Sequence, residues 1–128
     1  MNAADRPALR VLIVDDNDNA AQSTALLLRC AGLEVRVVND GPAALAAAEW
    51  PPQVVVLDIG LPGMDGLEVA RRLRAGPAGA ALRLVALTGL TDPADRQRAL
   101  EAGVDEYLTK PAPPDELMRA VSPAGCAP

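Results

Sequence analysis

Short runs of β-branched and other apolar residues alternate with alanine-rich stretches along the chain. The first run, Arg10-Val11-Leu12-Ile13-Val14, predicts a strand. The acidic and amide cluster Asp15-Asp16-Asn17-Asp18-Asn19 follows it, and then a helix to about Ala31. Ala20, Thr24, Leu27, Leu28 and Ala31 share one face of that helix at helical spacing, and Gly32 closes it. Glu34 to Val38 alternates only partly, which predicts an edge strand. Gly41 to Trp50 is helical, and Pro51-Pro52 ends it. Val54-Val55-Val56-Leu57 is continuously apolar and predicts a fully buried central strand, with Asp58 at its end.

The glycine-rich turn Gly60 to Gly66 leads into a helix from about Leu67 to Ala75. Leu67, Ala70 and Leu73 face inward, and Arg71, Arg72 and Arg74 face out. After the loop Gly76-Pro77-Ala78-Gly79 comes a fourth run, Leu82 to Leu87, ending at Thr88. Asp92-Pro93 is a helix start, an N-cap acid followed by proline at the first helical position. That helix reaches Gly103 and has only Ala94, Ala99, Leu100 and Ala102 to bury, so it should be loosely held. Tyr107-Leu108-Thr109 is a fifth strand, ending at Lys110-Pro111, and a short helix from about Pro114 to Val121 closes the pattern before Pro123.

Strands alternating with helices predict a parallel sheet with helices on both faces. Right-handed crossovers and five strands give an α/β, flavodoxin-like doubly wound (βα)5 fold with strand order 2-1-3-4-5. The 128 residues fit one domain, with a core of about 9–121 and tails at 1–8 and 122–128. Half the residues are apolar and 23% are charged, which suits a globular chain and not a disordered one. The net charge of -5 argues against a nucleic-acid partner, which needs a basic face. No apolar run approaches a membrane span, and no leader or lipidation box is present, so a cytoplasmic protein is expected. Cys30 and Cys126 form no C-x-x-C pair, and Cys30 is expected to be a small buried residue. The absence of histidine removes His-based triads and most zinc enzymes.

In this fold every strand's carboxyl end lies on one edge of the sheet, where ligands bind at the switch point. That edge collects Asp15, Asp16, Asp58, Thr88 and Lys110. Crowded carboxylates repel one another and favour a hard divalent cation such as Mg²⁺. Lys110 can meet a phosphate as a point charge, and Thr88 adds a hydroxyl donor. Together these residue types make a phosphoryl-transfer site whose best nucleophile is a carboxylate. Each alone has an ordinary explanation, because Asp15-Asp16 and Asp58 can cap turns and Thr88 can end a strand. The conjunction carries the argument.

The segments Val14-Asp15-Asp16, Leu57 to Gly66, Ala86-Leu87-Thr88-Gly89 and Tyr107 to Pro111 together resemble the receiver domain of two-component response regulators over about residues 9–121. The likeness extends to receivers of hybrid sensor histidine kinases and to single-domain regulators. The resemblance implies that Asp58 is the phosphoacceptor. It implies that Asp16, Asp58 and the backbone carbonyl of Gly60 ligate Mg²⁺ (or Mn²⁺), with Asp15 acting through water. It implies that Thr88 and Lys110 bind the phosphate, that Thr88 and Tyr107 form the switch, and that Lys110-Pro111 is a cis peptide.

The expected function is therefore a phosphoacceptor of a phosphorelay, not an enzyme beyond its own phosphorylation and slow dephosphorylation. Its expected partner is a sensor histidine kinase or histidine phosphotransfer protein. The face of the last two helices and last strand is the switched surface and a candidate homodimer contact. Gly60 and Leu90 depart from many relatives at positions that influence phosphoryl lifetime. Three alternatives come from other classes. An aspartate-nucleophile phosphatase needs a second Asp where Gly60 stands. A flavin binder would find its phosphate repelled by Asp15-Asp16. A degenerate receiver used only for protein binding would not need the full acidic set.

Overall fold

The computed structural model describes residues 9–47, 50, 52–60, 66–76, 79, 81–89 and 92–121. The turn at 61–65, most of the loop at 77–80, Pro51, Leu90, Pro123, Cys126 and both tails lie outside the described residues. The elements are β1 (Arg10–Val14), α1 (Asp18–Cys30), β2 (Glu34–Val38), α2 (Gly41–Ala46), β3 (Val54–Leu57), α3 (Gly66–Ala75), β4 (Arg83–Thr88), α4 (Pro93–Glu101), β5 (Glu106–Thr109) and α5 (Pro114–Val121). The five strands pair in parallel in the order β2-β1-β3-β4-β5.

The strand sequences explain the order. Val54 to Leu57 is buried on every residue because helices cover both faces of β3. β2 keeps Glu34 and Arg36 exposed, as an edge strand must. Alternate strand residues feed two cores. Leu12, Val14, Val55, Leu57, Leu84 and Ala86 pack with α3, Ala99 and Val104 on one side. Val11, Ile13, Val54, Val56, Val85 and Leu108 pack with Ala21, Ala25, Leu28, Leu117 and Val121 on the other.

The buried faces of α1 and α4 and the length of α2 differ from the sequence expectation. The buried stripe of α1 is Ala21, Ala25 and Leu28; Leu28 belongs to the expected face, whereas Ala20, Thr24 and Leu27 each lie about 100° around the helix from the stripe. The two alanines let the helix approach the sheet closely, and Leu27 is left at the rim, half-buried. Cys30 is exposed because it lies about 200° from Leu28 around the helix, on the opposite side. Only Ala99 is buried within α4, while Ala94 is exposed and Leu100 keeps 41% of its surface in solvent. α2 is also shorter than Gly41 to Trp50 and ends at Ala46, with Trp50 half-buried under the Arg36 guanidinium at 4.6 Å. Among the described residues, no helix is long and apolar enough to cross a membrane.

Candidate functional site

The carboxyl edge of the sheet holds the chemistry. Hydrogen bonding between the strands continues one residue past their ends: Asp15 N–H donates to Val38 O at 3.1 Å and Asp58 N–H donates to Val14 O at 2.9 Å. Those bonds fix the two aspartate backbones side by side. A carboxylate oxygen from each of Asp15, Asp16 and Asp58 lies within 4.8 Å of the others. Asp15 is only 5% exposed, Asp58 is partly buried, and Asp16 is open to solvent.

Each oxygen of Asp15 already has a partner. Oδ1 accepts the Asn17 N–H at 2.9 Å, and Oδ2 accepts from Lys110 Nζ at 2.7 Å. Lys110 Nζ also reaches Asp58 Oδ2 at 3.3 Å, while Asp58 Oδ1 accepts the Gly60 N–H at 2.9 Å. Burial works against the Lys110 ammonium, yet the Asp15 hydrogen bond and the Asp58 charge outweigh it and hold its pKa above the ordinary value of 10.5. Lys110 therefore stays a cation and serves as the counter-ion of the acidic cluster.

Thr88 is 1% exposed at the end of β4, and its carbonyl accepts the Lys110 N–H at 2.8 Å. Hydroxyl and ammonium thus hang from directly bonded backbone. Burial pushes the Tyr107 phenol above 10.0; Asp95 on α4 adds to that, Arg96 and Arg98 oppose it, and Asp58 adds a little. Tyr107 is therefore a neutral phenol at physiological pH, partly buried on β5 against the core. The Lys110–Pro111 peptide is cis.

The structure adds residues that sequence reasoning missed. Asn39 Nδ2 donates to the Asp15 carbonyl at 2.9 Å, tying the end of β2 to the acidic loop. The signal was available, since Asn39 follows strand 2 on the same edge as the others. Asn17 is the α1 N-cap and accepts the Ala20 N–H at 3.1 Å, so neither Asp15 nor Asp16 caps the helix.

The two glycines described near Asp58 have unequal jobs. A Cβ on Gly66 would sit 2.5 Å from Ile59 Cα and 2.8 Å from the Asp58 carbonyl oxygen, whereas one on Gly60 would meet nothing nearer than Asp58 Oδ1 at 3.6 Å. Gly66→Ala is expected to cost about 1–3 kcal/mol, because backbone rather than a flexible side chain must move. Gly60→Ala is expected to stay within about 0.5 kcal/mol. Urea unfolding of both variants checks this, and equal losses would refute the close-approach argument.

Residues 11–122 match the family model described as the response regulator receiver domain. The chain is 42% identical over 113 residues to the DNA-binding response regulator MtrA of Mycolicibacterium paratuberculosis, covering 88% of this chain and 49% of the relative. It is 39% identical over 109 residues to the transcriptional regulatory protein KdpE of Mycobacterium tuberculosis, covering 84% and 47%. The chain thus spans about half the length of the curated relatives it matches. Among solved structures, it resembles the receiver domain of the Pseudomonas aeruginosa sensor histidine kinase PA1611, whose cleft coordinates magnesium. That match has 33% identity and TM-score 0.82, covering 90% of this chain and 95% of the other. The Vibrio cholerae chemotaxis response regulator CheY4 matches with 31% identity and TM-score 0.81, covering 88% and 95%.

Proposed function

The chain belongs to the response regulator receiver domain family, and from that premise we propose that Asp58 accepts a phosphoryl group from a phosphohistidine and that Thr88, Tyr107 and α4 relay the event. The observation that carries this reading is the Asp15–Lys110–Asp58 constellation, with Asp16 beside it. An Asp58 carboxylate oxygen attacks phosphorus. The P–N bond to the histidine ring breaks as the P–O bond forms, and the ring nitrogen keeps the electron pair. Asp15, Asp16, Asp58 and the Gly60 carbonyl supply hard oxygen donors suited to Mg²⁺ or Mn²⁺. When bound, such an ion supplies neutralisation of the phosphoryl oxygens' charge. Lys110 exchanges its carboxylate partners for the phosphoryl group, and the Thr88 hydroxyl donates to it.

Residues 9–121 are the unit that does this, and a sensor histidine kinase or histidine phosphotransfer protein is the donor. The relative named as a DNA-binding response regulator supports a separate output as the reader of the switch; the α4–β5–α5 face is the surface it reads, which a second copy can also occupy, and the receiver itself needs no contact with nucleic acid.

Incubation with Mg²⁺ and acetyl phosphate, followed by intact-mass spectrometry, tests the chemistry. One phosphoryl adduct, removed by hydroxylamine and abolished by EDTA, is expected. A chain that binds Mg²⁺ yet gains no adduct from acetyl phosphate or from any phosphohistidine donor would overturn the phosphoacceptor reading in favour of a binding-only receiver.

A further inference from the structure

The sequence places Arg74 on the outer face of α3 with Arg71 and Arg72. The structure turns it inward at the sheet edge opposite Asp58. Its Nε donates to the Gly103 carbonyl at 3.2 Å and Nη2 donates to the same oxygen. Nη1 donates to the Gly79 carbonyl at 2.7 Å and to that of Leu82, and Nη2 pairs with Asp105 Oδ2 at 2.8 Å. Asp105 Oδ2 in turn accepts the Leu84 N–H at 2.8 Å, and Asp105 N–H donates to Leu84 O at 2.8 Å. One guanidinium therefore joins the end of α3, the entry to β4 and the turn between α4 and β5.

Gly103 is fitted to the Arg74 side chain and Gly79 to the Arg74 backbone. Gly103 has φ +104°, and a Cβ there would sit 3.2 Å from Arg74 Nε. A Cβ on Gly79 would collide with the Arg74 carbonyl at 1.8 Å.

The anchoring of α4 is lopsided as a result. Ala99, Ala102 and Val104 are buried beside the clamp, whereas Pro93, Ala94, Arg96, Gln97 and Arg98 are exposed. The exposed end is the one that follows β4 and Thr88. We propose that Arg74 is a positioning residue that fixes the carboxyl end of α4, so that α4 responds to the site as a lever. The lever pivots on Gly103–Asp105, and displacement is confined to residues 92–98. This deepens the switch reading above and rests on it only in the phosphorylated arm of the test.

The experiment is residue-resolved amide exchange on the full chain, with β1 and β3 amides as the fold control. Without phosphorylation, the amides of 95–98 exchange faster than those of 102–105 in the parent. Arg74→Lys keeps the charge but loses the fork, so 103–105 should exchange about tenfold faster with β1 and β3 unchanged. If that variant also loosens β1 and β3, Asp105→Asn is the second variant; it keeps an acceptor for Leu84 N–H and should accelerate the same segment. Unchanged exchange at 103–105 in a folded Arg74→Lys overturns the clamp, as does unchanged exchange in Asp105→Asn where that variant decides.

With Mg²⁺ and acetyl phosphate, the parent should change at 92–98 and not at 103–105, and in the variant the change should spread across the pivot. Equal change at both ends in the parent overturns the lever. Intact mass on the same samples reports the adduct, so failure of Asp58 chemistry is seen there, and the unphosphorylated arm then decides the proposal alone.

Discussion

Asp58→Asn is expected to abolish the phosphoryl adduct completely and, in metal-free buffer, to leave the chain more stable than the parent. The first effect is chemical, because an amide oxygen cannot form the acyl phosphate. The second follows from charge. Asparagine keeps an oxygen for the Gly60 N–H, which Asp58 Oδ1 accepts at 2.9 Å, so the turn geometry survives.

What changes is one attraction and two repulsions. At an effective dielectric near 20, the Lys110 attraction at 3.3 Å is worth about 5 kcal/mol. The repulsions from Asp15 and Asp16, at no more than 4.8 Å, together reach about 7 kcal/mol. Asp16 is open to solvent and Lys110 is partly exposed, so screening shrinks the repulsion and the attraction alike and leaves only a small net repulsion. A gain of about 1 kcal/mol is therefore expected in urea unfolding with EDTA. Added Mg²⁺ should stabilise the parent more than the variant, which has lost a ligand. A variant less stable than the parent in EDTA would mean that the Lys110–Asp58 pair outweighs the crowding, and the site would then be a structural ion-pair network first.

The same carboxylates explain why so much of the site was readable in sequence. Short continuous apolar runs of β-branched residues, bounded by turn residues, suit strands buried on both faces, and a parallel sheet sends all their carboxyl ends to one edge. Asp15 and Asp58 are the first polar residues past such runs, Thr88 is the last residue of β4, and Lys110 follows Thr109 at the end of β5, so topology gathers them. What could not be read depends on rotation and on non-local carbonyls. The α1 stripe shifted by one position because alanine and leucine compete for the sheet, and nothing local ranks Ala25 above Leu27. Arg74 sits in a run of arginines that looks like a solvated helix face. Its partners Gly79, Leu82, Gly103 and Asp105 converge only once α3, β4 and the α4–β5 turn are packed. Asn39 carries the same signal, a polar residue just past the end of β2, although its bond goes to the Asp15 backbone and not to the carboxylates.

Lys110→Met is expected to have the opposite effect on stability from Asp58→Asn. The ammonium is the only cation hydrogen-bonded to the cluster among the described residues, at 2.7 Å from Asp15 Oδ2. Asp15 is buried, so removing its counter-ion leaves a desolvated carboxylate facing two others. Breaking a buried pair from one side costs about 3–5 kcal/mol, and partial exposure of Lys110 lowers the expected loss to about 2–3 kcal/mol in metal-free buffer at neutral pH.

The deficit should narrow as Mg²⁺ is added, because a bound cation would offset the carboxylate charge that Lys110 no longer balances, and stabilisation grows with its concentration over Kd. A pH series separates this from lost packing. The folded-state pKa of Lys110 is raised, since Asp15 and Asp58 overcome the effect of burial. Its contribution is therefore complete below the unfolded value of about 10.4 and is lost as pH rises through the higher folded value. The parent should lose that increment above about pH 10.5, and the variant has none to lose, so the two curves converge at alkaline pH. Curves that stay parallel, together with a deficit that Mg²⁺ does not touch, would show Lys110 to be a packing residue. In that case the charge balance that links the resting cluster to phosphoryl binding would have to be sought elsewhere.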